Sequence, residues 1–181
     1  MRTIKLFLIS LLLCTNSFSF GTSGCDIFSV FLMHADGANL STTFPESDCD
    51  GNDKKVITSS AGAYIDTSQS VFGGASAFFD GSDDFLSVAD SNDWNFGTGD
   101  FTIDLRFRTA VTTQDLRVFE LGEANSDGIH FQYSNGAGEL QIRINGNTIA
   151  RTWSFSTNTW YHATIMRTGS IVRIFIDGIQ I

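Results

Sequence analysis

The hydrophobic pattern of this chain has period two almost throughout. From Phe101 to Arg108 it alternates without a break: Phe101, Ile103, Leu105 and Phe107 face one way. Thr102, Asp104, Arg106 and Arg108 face the other. That is a strand with one dry and one wet face. Shorter apolar runs repeat on both sides of it: Phe28–His34, Lys54–Thr58, Ala63–Asp66, Ala75–Phe79 and Asp84–Val88 before it. Leu116–Leu121, Ile129–Tyr133, Leu140–Ile144, Ile149–Trp153, Trp160–Arg167 and Ile171–Ile176 follow. Turn residues separate them about every 8–12 positions, and no segment carries a helical period, which predicts an all-β antiparallel sandwich. Ser91 to Phe96 reads as a single helical turn with Ser91 as its N-cap, and Trp94 as a plug over one end. Asp80-Gly81-Ser82-Asp83 reads as the turn of a hairpin between its two flanking strands. The paired Lys54 and Lys55 suit an edge strand.

Composition supports this reading. Seventeen Phe, seventeen Gly and one Pro fit many short strands joined by tight turns. With 42% hydrophobic and 17% charged residues, the chain can build a core and is not a disordered polymer.

The N-terminus departs from the pattern. Arg2 and Lys5 precede an almost wholly apolar Leu6–Leu13, and Ser17-Phe18-Ser19 offers small residues for cleavage. This is the pattern of a secretory leader, too short to span a bilayer. The expected organisation is a signal peptide over 1–20, a linker over 21–27 and one domain over 28–181. The mature protein would be secreted or at the cell surface, with no membrane insertion. Loss of Arg2 and Lys5 takes the formal net charge from −9 to −11. So acidic a chain is ill suited to nucleic acid or to anionic membranes. Cys14 would leave with the leader, so Cys25 and Cys49 remain as an even pair in an oxidising compartment. A disulfide between them is favoured over two free thiols, and would contribute about 3 kcal/mol.

Candidate chemistry is sparse. Asp48-Cys-Asp50-Gly51-Asn52-Asp53 is oxygen-rich, although its glycine is misplaced for an EF-hand loop. His34, His130 and His162 lie on separate predicted strands, with nothing in their spacing to bring them together. Asp104 stands alone on the long strand beside Arg106, which suggests a cross-strand ion pair. Tyr133, Trp153 and Tyr161 could offer faces to a sugar, but aromatic side chains in a sandwich usually pack.

Seven pieces in order resemble a known family: Phe31-Leu-Met-His-Ala-Asp-Gly37, Phe72-Gly-Gly-Ala-Ser-Ala77, Phe79-Asp-Gly81, Asp84-Phe-Leu-Ser-Val88, Phe96-Gly-Thr-Gly-Asp-Phe-Thr-Ile103, Trp160-Tyr-His162 and Val172-Arg-Ile-Phe-Ile-Asp-Gly178. Together they look like laminin G-like domains, of the bacterial and phage branch of the concanavalin A-like lectin/glucanase jelly rolls. The resemblance implies two curved antiparallel sheets packed face to face. It also implies further strands after Asp177-Gly178, so that the domain is C-terminally incomplete at Ile181.

For function, the resemblance implies a non-enzymatic recognition module whose partner is a glycan or an extracellular protein. A structural accessory domain of a larger extracellular protein is the alternative. A glycoside hydrolase is a third reading, weakened because the family's Glu-x-Asp-x-x-Glu pattern has no counterpart here. Glu46-Ser-Asp48 sits in a proline-containing loop, with Gly51 where the second Glu belongs. Calcium is the one cofactor implied. Asp36 and the loop residues Asp48 and Asp50 match the positions that hold it in related jelly rolls.

Overall fold

A computed structural model of the chain describes residues 4–6, 11–14, 29–47, 55–122 and 128–181. In chain order the strands are β1 (Ile4–Leu6), β2 (Leu11–Cys14), β3 (Ser29–Met33), β4 (Glu46–Ser47), β5 (Ile57–Ser60), β6 (Tyr64–Asp66), β7 (Ser76–Phe78) and β8 (Phe85–Val88). After a 3-10 turn at Asn92–Trp94 come β9 (Phe101–Arg108), β10 (Leu116–Leu121), β11 (Ile129–Ser134), β12 (Glu139–Ile144), β13 (Asn147–Thr152), β14 (Trp160–Thr168), β15 (Ile171–Ile176) and β16 (Ile179–Gln180). They form one sheet in the order β13-β12-β11-β10-β1-β8-β5 and another in the order β16-β15-β14-β9-β2-β3-β4. A separate ribbon pairs β6 with β7. Every described pairing is antiparallel. No helix among the described residues is long and apolar enough to cross a membrane.

The two large sheets pack face to face, and the alternation along β9 shows why. Phe101, Ile103, Leu105 and Phe107 are all buried, and the residues between them are half-exposed. Phe107 meets Phe131 of the opposite sheet edge-to-face, with ring centroids 6.2 Å apart. Ile165, Ile174 and Ile176 join from the β9 side of the core, with Leu86, Phe119, Leu140 and Ile142 from the other. Trp94 closes one end. It is fully buried, its indole N–H donates to the Ala89 carbonyl at 2.9 Å, and its ring meets Phe31 edge-on. Ser91 caps the turn by accepting from the Asp93 N–H, as its sequence position predicts.

Two expectations change. The Asp80–Asp83 segment does not close a hairpin, because β7 pairs with β6 while β8 pairs with β5 and β1. The turn is held by side chains instead: the Asp80 N–H donates to Asp84 Oδ2 and the Ser82 N–H to Asp80 Oδ1, each at 2.8 Å. Carboxylates that satisfy the turn's amides remove the need for ladder partners, so the chain can leave the ribbon and enter the large sheet. Second, β5 is an edge strand as expected, but Lys55 does not guard it. Its side chain is only 6% exposed, paired with Asp93 at 2.6 Å and set over the Trp94 ring. Ile4–Leu6 and Leu11–Cys14 pair within the sheets, β1 between β10 and β8, and β2 between β3 and β9.

Candidate functional site

The wet face of β9 leads to the site. Asp104 lies opposite Thr164 of β14, and His162, opposite Arg106, is two residues along that strand on the same face. His162 Nε2 is 2.6 Å from Asp104 Oδ2, and the Thr164 hydroxyl donates to the same carboxylate oxygen at 3.1 Å. The expected cross-strand partner of Asp104 is therefore His162, not an arginine. Thr164 Oγ1 also lies 3.2 Å from Nε2. Aspartate and hydroxyl thus meet the same ring nitrogen. An acid-base triad needs them on opposite nitrogens, so that one orients the ring and the other gives up a proton. The cluster fastens β9 to β14.

One step along, Arg106 sets its guanidinium 5.4 Å from the centroid of the Phe72 ring. Its Nη1 is buried with no hydrogen-bond partner, beside a small cavity of about 20 Å³ lined by His34, Ser76 and Trp160. That volume holds about one water molecule.

Arg108, opposite Trp160 in the register, ends the row and lines an open cleft of about 450 Å³ at the rim of the sandwich. Phe79, Asp80, Asp84, Gln114 and Arg117 also line it. Its walls are fixed. The Thr109 hydroxyl donates to the Val111 carbonyl at 2.6 Å and accepts the Val111 N–H. Asp115 accepts the Asn135 N–H at 2.8 Å, and Arg117 pairs with Glu120 at 2.9 Å. Arg108 is different: among the described residues it has no hydrogen bond and no ion pair. A rigid cleft of this volume, with one uncommitted fork of donors and several acceptors, is suited to a small polar ligand. On its floor-side turn, Asp80, Asp83 and Asp84 each bring an oxygen within 4.8 Å of the others.

The residues singled out from the sequence fare unevenly. Asp36 follows β3, and its Oδ1 is buried without a hydrogen-bond partner, tight against Gly73. Asp48, Asp50, Cys25 and Cys49 lie outside the described residues. The histidines stay apart, His130 on β11 in one sheet and His162 on β14 in the other. Tyr133 is buried edge-on to Phe155, and the Tyr161 hydroxyl accepts the Ser156 N–H while its ring packs on Phe107 and Phe155. Trp153 packs against the core. These aromatic faces serve packing. Sequence reasoning missed Arg108 and Gln114, whose roles depend on which loops meet at the rim. The density of acids in Asp80–Asp84 was visible, but read as turn chemistry alone.

Residues 80–181, more than half of the chain, match the model of a laminin G-like family described as the concanavalin A-like lectin/glucanases superfamily. No curated protein and no solved structure gives a match.

Proposed function

Because the chain belongs to the concanavalin A-like lectin/glucanases superfamily, we propose that it is a secreted recognition module that binds carbohydrate in the rim cleft without cleaving it. The observation that carries this reading is Arg108, a guanidinium with no hydrogen bond or ion pair among the described residues, in a cleft of about 450 Å³. Guanidinium and amide groups donate to sugar hydroxyls, and Phe79 supplies an apolar wall. Secretion is supported by the leader-like segment before Gly21, and laminin G-like domains are commonly extracellular.

Binding without hydrolysis is favoured by what the acids do. Glycosidases set two carboxyl groups on either side of the scissile bond. Here Asp80 and Asp84 sit on one turn, each with an oxygen already accepting a backbone N–H. Calcium is the proposed aid, at Asp36 with Asp48 and Asp50 as further donors. The orphaned buried Oδ1 of Asp36 supports it, because a carboxylate oxygen without a donor is satisfied by a hard cation. Removing calcium with a chelator is expected to lower the melting midpoint, and a midpoint that does not move contradicts calcium binding.

A glycan array probed with the full chain and with Arg108→Ala tests the main reading. Wild type is expected to retain a defined group of glycans that Arg108→Ala loses, with no reducing sugar released. Absence of any glycan binding by wild type would instead favour a structural accessory domain. Release of reducing ends would favour hydrolysis.

A further inference from the structure

We propose that the Asp80–Asp84 turn is a calcium site in its own right, separate from Asp36. Three carboxylates bring oxygens within 4.8 Å of one another. Two oxygens bound to one calcium at about 2.3–2.6 Å lie at most about 5 Å apart, so the spacing fits a single ion. Proximity of acids alone says little, and the second observation is Asp84 itself. Its side chain is buried, at 6% exposure, and its Oδ1 has no hydrogen-bond partner. The other oxygen, Oδ2, already holds the Asp80 N–H. A buried carboxylate with one oxygen bonded and one bare is costly in a folded protein. A cation shared with Asp80 and Asp83 removes that cost and the mutual repulsion of the three charges.

The surroundings select the ion. All donors in the cluster are carboxylate oxygens, with neither imidazole nor thiolate among them, which suits a hard cation over zinc or copper. Calcium accepts irregular oxygen geometry and carboxylates crowded on one short turn, whereas magnesium demands a near-ideal octahedron. Gly62 makes room. Its φ is +137°, and a Cβ there would come within 3.1 Å of Asp84 Oδ1. The ion would lock the crossing between the β6–β7 ribbon and the large sheet, the place where the chain has no ladder bonds of its own.

Titration calorimetry with calcium chloride on the chelator-stripped chain tests this site, comparing wild type with Asp83→Asn, Asp84→Asn and Asp36→Asn. Asp83 is exposed and makes no hydrogen bond among the described residues, so its replacement is expected to leave the fold intact. The expected result is that Asp83→Asn and Asp84→Asn each weaken one binding event at least tenfold while Asp36→Asn leaves that event unchanged. Should Asp84→Asn fail to fold, Asp83→Asn decides alone. Wild type taking up no calcium at millimolar concentration would overturn the proposal, as would an Asp83→Asn isotherm that superimposes on wild type. None of these outcomes depends on whether a glycan binds.

Discussion

Trp94 is the residue on which one end of the core depends. Its indole fills the space above Phe31 and donates its only polar hydrogen to Ala89. Trp94→Ala leaves a cavity and an unpaired carbonyl, and is expected to lower the unfolding free energy by about 3–5 kcal/mol in a urea titration. Trp94→Phe refills most of the space and loses the N–H, so its cost is expected to be smaller. Gly73 presents a second single-residue constraint. Its φ is +65°, and a Cβ would overlap the Asp36 carboxylate. Gly73→Ala is therefore expected to destabilise by more than the ~1 kcal/mol of a left-handed alanine. Combined with Asp36→Ala it should cost less than the sum of the two single changes, because one substitution removes what the other strikes. Strictly additive melts would contradict that contact. Gly73 was legible in the sequence only as part of the family-like piece Phe72–Ala77; its reason lies in a carboxylate 37 positions away.

At the level of elements, local chemistry foretold what local chemistry controls. The alternation of Phe101–Arg108 reappears residue by residue in its burial. Asn145-Gly146 and Asp177-Gly178 both take positive φ at two successive residues, the two-residue turn that these pairs favour. The Asp80–Asp83 turn defeats the same logic because its residues would suit a hairpin equally well. Which sheet each flanking strand joins is decided by distant partners, β6 for one and β5 for the other. The rim cleft was hidden for the same reason: Arg108 at the end of β9 meets Asp80 and Gln114 from two loops with no shared motif. Arg167 shows how a strand end can be pinned from afar. Its guanidinium donates to the carbonyls of Phe96, Gly97 and Gly99 and lies 4.8 Å from the centroid of the Phe101 ring. Arg167→Lys keeps the charge but loses the planar fork. Amide exchange at residues 97–100 is expected to quicken at least tenfold in that variant, with exchange in β11 and β12 unchanged. Equal protection in both proteins would show that the loop holds itself.

For the whole molecule, the sandwich is a scaffold, and the cleft proposed for recognition lies at one rim. The inward faces of both sheets are filled with Phe, Ile, Leu and Val, while the polar row on β9 either fastens strands, as Asp104 does, or reaches the cleft, as Arg108 does. Fold membership alone does not choose among lectin, enzyme and accessory domain; the proposal of recognition rests on Arg108. A guanidinium that has no hydrogen bond or ion pair among the described residues, beside hydrogen-bonded walls, is what the proposed binding site requires. The decisive measurement is a calorimetric titration of an array-selected oligosaccharide into wild type and Arg108→Ala, with melting curves recorded on both. The expected result is saturable binding to wild type, at least a tenfold loss of affinity in Arg108→Ala, and melting midpoints that agree. Equal affinity in the two proteins would contradict the assignment of recognition to this cleft.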